Sequence, residues 1–231
     1  MTHTLRVYSY CPYAPKEPGN RHKHAVAFLR AFKNGRGYRF TAWDRDFAQV
    51  VQIIVDRARE CPAFGAPCIV VPVPRSGSSR KSFDPRASDL PCLPLARALA
   101  DAIPGVQVAE LLTRIREVPR ASDTDGRVSV QTHLESLAVD LPRSLVGKRL
   151  VLLDDLLTKG TQLMACCLAL QNAGHHGEIE AFCVAQTVAP SATPEQLEPY
   201  LIHHVRWRKG QKLASRDDRQ QWRPRTVSSS G

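Results

Sequence analysis

The spacing of apolar residues divides the sequence into short apolar runs and amphipathic segments that alternate. The runs at residues 68–71 and 150–153 are uninterrupted and short, as in strands that are buried on both faces of a sheet. Residues 93–103 and 161–172 keep apolar side chains at helical spacing and are followed by proline or glycine. Since predicted strands and helices alternate, the pattern predicts an α/β fold with a mostly parallel sheet and helices on both faces.

Less regular patterns predict the other elements and the loops between them. Residues 74–90 and 112–129 are charged, contain proline and lack periodicity, so we expect surface loops, the second of them mobile. Asp44 is the predicted N-cap of a helix. The predicted helices cover residues 22–32, 44–60 and 130–137, and the other predicted strands cover residues 5–8, 106–111 and 180–188.

Composition limits the class of protein. Of 231 residues, 43% are hydrophobic and 23% are charged, which is typical of a soluble globular protein. No apolar run reaches the ~18 to 20 residues of a membrane-spanning helix, and the first residues do not form a secretory signal. The seven cysteines are an odd number without a Cys-x-x-Cys pair, which fits a reducing compartment. We therefore expect a cytoplasmic protein.

The length favours one large domain with an appendage over two full domains. We predict a domain over residues 1–195, with a small hood contributed by about residues 1–40. A basic C-terminal extension follows over residues 196–231, and we expect its end to be disordered. Neither the hood nor the extension carries a pattern that identifies a base it would bind.

The positive charge is concentrated in two segments. The formal net charge is +10, and residues 14–40 hold seven Lys or Arg and one acid, while residues 205–225 hold eight and two acids. Such segments attract nucleic acid or polyphosphates, or they form a solvated face that keeps the protein soluble. Trp207 and Trp222 either stack on bases or fix the tail to the domain.

The most specific chemical signal follows the apolar run at residues 150–153. Asp154 and Asp155 come directly after it, and a Thr-Lys-Gly-Thr turn leads into the helix predicted from Thr161. A helix N-terminus with a glycine and hydroxyl donors binds phosphate through unpaired N–H groups and the helix dipole. Carboxylates accept hydrogen bonds from vicinal hydroxyls, and an acid pair favours a divalent cation. The pattern therefore predicts a site for a ribose 5-phosphate with a divalent cation nearby.

Other interpretations of the candidate residues fit less well. A Walker A loop needs Gly-x-x-x-x-Gly-Lys-Ser/Thr, whereas here Lys159 precedes Gly160 and no glycine stands five residues before it. A turn that only caps the helix would explain one acid but not two. Metal ligation by histidine is disfavoured because His175–His176 and His203–His204 are adjacent pairs, and Ser76 lacks the Gly-x-Ser-x-Gly pattern of a nucleophile.

The segment from Val151 to Thr161 resembles the signature of type I phosphoribosyltransferases that binds 5-phosphoribosyl-1-pyrophosphate (PRPP); it reads VLLDDLLTKGT. Val71–Gly77 is similar to the pyrophosphate loop of the ComF-type (competence-associated) subfamily, and Leu111–Arg116 is similar to the segment that opens its flexible catalytic loop. The resemblance covers about residues 5–190 and implies a phosphoribosyltransferase-like fold. The subfamily often carries an N-terminal zinc ribbon of four cysteines, which we do not expect here because only Cys11 occupies that region.

The resemblance also implies a magnesium-dependent reaction, in which pyrophosphate leaves C1 of PRPP and a nucleobase-like nitrogen acceptor attacks. Asp154 and Asp155 would hold the ribose hydroxyls and are the expected ligands of Mg²⁺. The expected catalytic residues are Asp155, Arg114 and Arg116. The two arginines are expected to close over the pyrophosphate, and Arg120 and Arg127 are further candidates for that role. The expected PRPP-binding residues are Asp154, Asp155, Thr158, Lys159, Gly160, Thr161, Gln162, Pro74, Arg75, Ser76 and Gly77. A homodimer is expected because dimers are common in this fold.

Two positions depart from the family pattern. Lys159 stands where a small hydroxyl residue is usual, and Gln162 stands where a second Thr or Ser is usual, although a cation and an amide donor can both serve phosphate. The first hypothesis is a phosphoribosyltransferase. The second is a non-catalytic protein that senses PRPP or a nucleotide and binds nucleic acid through its basic segments, and the third is an interaction protein in DNA uptake or in a defence locus.

Overall fold

The computed structural model describes residues 2–13, 38–40, 43–45, 47–75, 90–118, 128–188 and 201–221. The helices within these ranges are α1 (Phe47–Ala58), α2 (Leu93–Ala102), α3 (Val130–Glu135) and α4 (Thr161–Asn172). The strands are β1 (Thr2–Tyr13), β2 (Tyr38–Phe40), β3 (Trp43–Arg45), β4 (Cys68–Pro72), β5 (Val106–Val108), β6 (Leu112–Arg114), β7 (Leu137–Val139), β8 (Leu150–Leu157), β9 (Ile179–Thr187), β10 (Leu201–Arg208) and β11 (Ser215–Gln221). None of the described helices is long and apolar enough to cross a membrane.

Seven strands form one sheet in the order β11-β10-β1-β9-β8-β4-β5. All neighbours from β1 to β5 run parallel, whereas β10 and β11 extend the other edge as an antiparallel pair. Two short antiparallel pairs, β2 with β3 and β6 with β7, lie outside this sheet. The predicted α/β class with a mostly parallel sheet is therefore confirmed.

Helices cover both faces of the sheet, and the strand sequences explain why. In β8, Val151 and Leu153 join the core beneath α1 and α2, while Leu150 and Leu152 join the core beneath α3 and α4. Alternate strand residues point to opposite faces, so an apolar run without polar interruptions must be covered on both. Each of these four side chains is fully buried, and such burial contributes about 1.5–3 kcal/mol per residue.

Several predicted boundaries differ from the structure. The helix predicted from residue 44 begins at Phe47, because Asp44 belongs to β3 and pairs with β2. The strand predicted over residues 106–111 ends at Val108, and β6 then begins at Leu112. The helix predicted over residues 22–32 lies outside the described residues.

The segment predicted as a C-terminal extension contributes two strands to the main sheet. Leu201, Val205 and Trp207 of β10 alternate with more exposed residues and are buried. The indole N–H of Trp207 donates to the carbonyl oxygen of Gln211 at 2.9 Å, and its ring lies 5.9 Å from that of His3. Trp207 therefore fixes the β10–β11 hairpin to the sheet, which is one of the two roles considered for it; Trp222 lies outside the described residues.

Candidate functional site

The order of the strands reverses at β4 and β8. From β4 the chain passes through α2, on one face of the sheet, to β5; later it returns to β8, on the other side of β4, and continues into α4 on the opposite face. In open α/β sheets such a reversal leaves a crevice beyond the carboxyl ends of the two strands, where ligands bind. Residues 73–75 follow β4 and residues 158–160 follow β8, so both predicted binding segments border this crevice.

The acid pair belongs to β8 itself. The strand predicted from the apolar run at residues 150–153 continues through Asp154 and Asp155 to Leu157, where its residues pair with β9. Side chains do not alternate strictly through this stretch, because Leu153 and Leu156 both pack against the core beneath α1 and α2. Burial raises the pKa of Cys183 in β9, and the charges of Asp154 and Asp155 both raise it further. Asp154 lies beside Cys183, on the side of the sheet that α4 covers, and its Oδ1 accepts the N–H of Asp155 at 2.8 Å. Both side chains are half-buried.

The turn after β8 brings the chain into α4 through Gly160. This residue is the N-cap of α4 and has a φ of +75°, which side chains rarely adopt. A Cβ atom there would lie 2.5 Å from Cγ2 of Val205 in β10. Thr158 and Lys159 are exposed, and Thr161 is half-buried at the first position of the 12-residue helix. The turn therefore presents two side chains and a helix N-terminus to the crevice, as an anion site requires.

The loop after β4 is joined to α4 and to β6 through its main-chain carbonyls. Gln162 Nε2 donates to the carbonyl oxygen of Pro74 at 3.0 Å. Arg114 Nε donates to the carbonyl oxygen of Arg75 at 2.7 Å, and Arg114 Nη2 lies 3.5 Å from the carbonyl oxygen of Pro74. Gln162 was predicted as a phosphate donor, and in this structure its amide instead links the two binding segments.

Arg114 is buried, with 7% of its surface exposed. Its Nη1 donates to Ser136 Oγ, and burial lowers the pKa of the guanidinium, while the charge of Asp154 opposes that effect. Burial lowers the pKa of His133 to about 4, and the charge of Arg114 contributes to that shift. Arg114 thus donates to the main chain of the loop after β4. The sequence had instead predicted Arg114 on a segment that closes over pyrophosphate.

The other predicted site residues border this crevice or lie outside the described residues. Arg116 is exposed two positions beyond the end of β6, and Arg75 is half-buried. Ser76, Gly77, Arg120 and Arg127 lie outside the described residues. Cys166 is buried beneath the site, where desolvation raises its pKa to about 12, so it is a packing residue.

The residue that the sequence did not single out is Arg216 of β11. Its Nη1 donates to the carbonyl oxygens of Thr158 at 3.1 Å and, more weakly, of Leu157 at 3.5 Å. Its Nη2 donates to the carbonyl oxygen of Thr187, at the end of β9, at 3.1 Å. In the sequence, Arg216 is one of eight cations in a basic segment, and nothing local distinguishes it from the others.

Magnesium was predicted at the acid pair. Within the described residues, no group of three or more His, Cys, Asp or Glu is placed to hold a metal ion. Mg²⁺ commonly takes only one or two carboxylates from a protein and the rest of its oxygens from water and substrate phosphates. The half-buried Asp154 and Asp155 fit an ion of that kind, which would arrive with a phosphorylated substrate.

The solved structures to which the chain is similar, at low identity, include three phosphoribosyltransferases, whereas no family model and no curated protein matches the sequence. One is a hypoxanthine phosphoribosyltransferase from Staphylococcus aureus, 12% identical, with a TM-score of 0.33 over 71% of this chain and 74% of that one. A purine phosphoribosyltransferase from Pyrococcus horikoshii is 15% identical, with a TM-score of 0.30 over 63% and 88%. An adenine phosphoribosyltransferase is 17% identical, with a TM-score of 0.33 over 69% and 89%.

Proposed function

We propose that the chain is a magnesium-dependent phosphoribosyltransferase, which transfers the phosphoribosyl group of PRPP to a nitrogenous acceptor and releases pyrophosphate. In this reaction the bond from C1 to the pyrophosphate oxygen breaks, and its electron pair leaves with pyrophosphate. The acceptor nitrogen forms the new bond to C1 and gives up its proton. The acceptor belongs to the class of nucleobase-like nitrogen heterocycles.

The observation that carries this proposal is the arrangement of Asp154, Asp155 and the turn that follows them at the strand-order reversal. The turn ends in a left-handed Gly160 at a helix N-terminus, which suits a terminal phosphate. The carboxylates directly before it suit the two vicinal hydroxyls of a ribose. A ribose 5-phosphate has these groups at opposite ends, so one strand and its turn can bind both.

The loop after β4 is the proposed site for the pyrophosphate. Arg114 and Gln162 hold the Pro74 and Arg75 carbonyls, and the amide N–H of a trans peptide points away from its carbonyl. The main chain of this loop is therefore oriented by groups behind it. Arg116 is the described loop arginine that is exposed, and we assign it to the charge that develops on the leaving pyrophosphate. Mg²⁺, bound with substrate by Asp154 and Asp155, would neutralise part of that charge.

The test is phosphorus NMR of the purified protein with Mg²⁺ and PRPP, alone and with pools of nucleobases, nucleosides and nucleotides. We expect pyrophosphate above the control without protein, released only in the presence of one pool. That pool identifies the class of acceptor. If PRPP signals broaden on binding but no pool releases pyrophosphate, the transferase proposal gives way to a PRPP-binding protein without turnover.

A second candidate function is nucleic-acid binding by a non-catalytic sensor, and the β10–β11 hairpin favours it. Arg208, Lys209 and Lys212 are exposed at or beside its turn. Such a surface binds nucleic acid with an affinity that falls steeply as salt rises. Fluorescence anisotropy with labelled single- and double-stranded DNA at about 50 and 200 mM salt tests it. Binding that is equally weak at both salt concentrations would rule it out.

A further inference from the structure

One side chain of the edge strand β11 reaches the ends of two parallel strands. Arg216 donates to the carbonyl oxygens of Thr158 and Thr187 at 3.1 Å each, and to that of Leu157 at 3.5 Å. Thr187 Oγ1 also donates to the carbonyl oxygen of Leu157, at 3.3 Å. The turn after β8, residues 158–160, is called the phosphate turn below. The carbonyl groups at its start are thus held on the side where the hairpin lies.

The direction of these carbonyls determines the direction of the neighbouring amides. In a trans peptide, the N–H points opposite to the C=O of the same unit. Because the Thr158 carbonyl faces Arg216, the N–H of Lys159 points away from the hairpin; the Leu157 carbonyl fixes the N–H of Thr158 in the same way. Consecutive amides that point to one side form a concavity that binds anions.

A second, independent contact joins the same hairpin to the same turn. Val205 of β10 is directly opposite Arg216 of β11 in the strand register. A Cβ atom on Gly160 would lie only 2.5 and 2.7 Å from the two methyl carbons of Val205. One cross-strand pair therefore touches both ends of the turn, with the guanidinium at Thr158 and the valine at Gly160.

We propose that Arg216 is a positioning residue for the phosphate turn, and that the β10–β11 hairpin is a working part of the site for the 5-phosphate of a ribose phosphate. This inference rests on the proposed function, because that function supplies the phosphate. Arg216 acts through the main chain and does not contact the phosphate. It sets the direction of the Thr158 and Lys159 amides before the ligand arrives.

The experiment compares three variants by calorimetric titration with PRPP, ribose 5-phosphate and inorganic pyrophosphate, each with Mg²⁺. Arg216→Gln removes the donors that hold the turn. Arg206→Gln is the matched control, because Arg206 lies in the same hairpin, is 55% exposed and pairs with Asp217 at 2.7 Å, on the strand face away from the turn. Arg216→Lys keeps the charge but cannot bridge several carbonyls at once.

We expect Arg216→Gln to weaken binding of ribose 5-phosphate and PRPP about tenfold, as the loss of a charge-assisted hydrogen bond implies. Binding of pyrophosphate stays unchanged, Arg206→Gln binds like the wild type, and Arg216→Lys falls between. Equal losses of affinity in Arg216→Gln and Arg206→Gln, or wild-type affinity in Arg216→Lys, would mean that charge alone attracts the ligand and would overturn the positioning role.

A measurement without ligand separates this inference from the proposed function. Heteronuclear ¹H–¹⁵N relaxation of Thr158 and Lys159 reports the order of the turn itself on the ps–ns timescale. We expect Arg216→Gln to lower the order of both amides, and Arg206→Gln to leave them as in the wild type. If the wild type fails to bind PRPP, the proposed function fails, and the relaxation data still decide whether Arg216 orders the turn. Unchanged relaxation in Arg216→Gln would overturn the inference.

Discussion

Arginine side chains have different hydrogen-bond acceptors at the two ends of the parallel sheet. At the amino end, the buried Glu180 carboxylate accepts from Tyr8 Oη at 3.0 Å and from Arg6 at 3.1 Å, and it also pairs with Arg149. At the carboxyl end, Arg114 and Arg216 donate to the main-chain carbonyls of the loops that follow β4 and β8.

This difference separates stability from binding. Charges that satisfy each other at the amino end form a closed network, whose disruption leaves a buried charge without compensation. Guanidinium groups that hold carbonyls at the carboxyl end orient the main chain of two loops, so that the linked amides point away from these groups. We therefore expect substitutions at the amino end to alter folding, and those of the acids at the carboxyl end to alter ligand binding.

The largest expected effect is on binding, from the double substitution Asp154→Asn and Asp155→Asn. Amides lose the acceptor strength that holds the ribose hydroxyls and the ligands for Mg²⁺, so we expect PRPP affinity to fall about a thousandfold, or about 4 kcal/mol. Calorimetric titration measures it. The exposed pair Asp101→Asn and Asp140→Asn removes the same charge and serves as the control; unchanged PRPP affinity in the first double variant would refute the site assignment.

At the amino end, Glu180→Gln is expected to lower the free energy of unfolding by about 3 kcal/mol, because Arg149, which is 17% exposed, loses its buried carboxylate partner and keeps the exposed Glu178. Urea denaturation measures this change. Glu178→Gln is the matched control, since Glu178 also pairs with Arg149, at 3.1 Å, but its side chain is 57% exposed; we expect about 0.5 kcal/mol or less there. The contrast between the two ends breaks down if Glu180→Gln lowers PRPP affinity while the fold remains intact.

Gly160→Ala is expected to lower the free energy of unfolding by a smaller amount, about 2 kcal/mol, because the φ is positive and the new Cβ meets Val205. Gly210→Ala isolates the backbone term: its φ is +94° and nothing lies within 4 Å of a Cβ, so we expect about 1 kcal/mol. Thermal unfolding compares the two. Because Val205→Ala by itself removes buried methyl groups, a double-mutant cycle tests the contact: the Gly160→Ala loss should be smaller in the Val205→Ala background, and an equal loss would argue against the contact.

The smallest predicted effect concerns pH and His133, beneath the loop after β4. Burial and the charge of Arg114 lower its pKa from 6.5 to about 4, so the unfolded chain takes up a proton at a higher pH than the folded protein. The stability is complete above pH 6.5 and is lost as the pH falls toward 4; at about pH 5.5 the loss is about 1.5 kcal/mol. Urea titrations of wild type and His133→Gln at several pH values should differ in slope, and parallel profiles would contradict the lowered pKa.

The elements that could be predicted from sequence are those whose pattern follows from burial alone. β4, α2 and α4 begin within a residue of their predicted positions, because a run such as residues 68–71 has no alternative to a strand covered on both faces. The end of β8 was misplaced because the predicted strand was limited to the apolar run at residues 150–153. Pairing with β9 keeps Asp154 and Asp155 in the strand, and that is a tertiary effect.

The strands β10 and β11 show a different reason for failure. Leu201, His203, Val205 and Trp207 alternate with more exposed residues, which is a readable strand pattern, but the density of Lys and Arg suggested a separate basic tail. The roles of Arg114 and Arg216 could not be predicted at all. A side chain that donates to main-chain carbonyls about 40 to 60 residues away in sequence leaves no local pattern.

The most direct test of the central claim is to locate ribose 5-phosphate on the protein by amide chemical-shift changes during a titration with Mg²⁺ present. We predict that the largest shifts fall on residues 154–162 and 74–75, at the carboxyl ends of β8 and β4. Shifts confined to the exposed cations of the β10–β11 hairpin, or to the Glu180 end of the sheet, would contradict the claim.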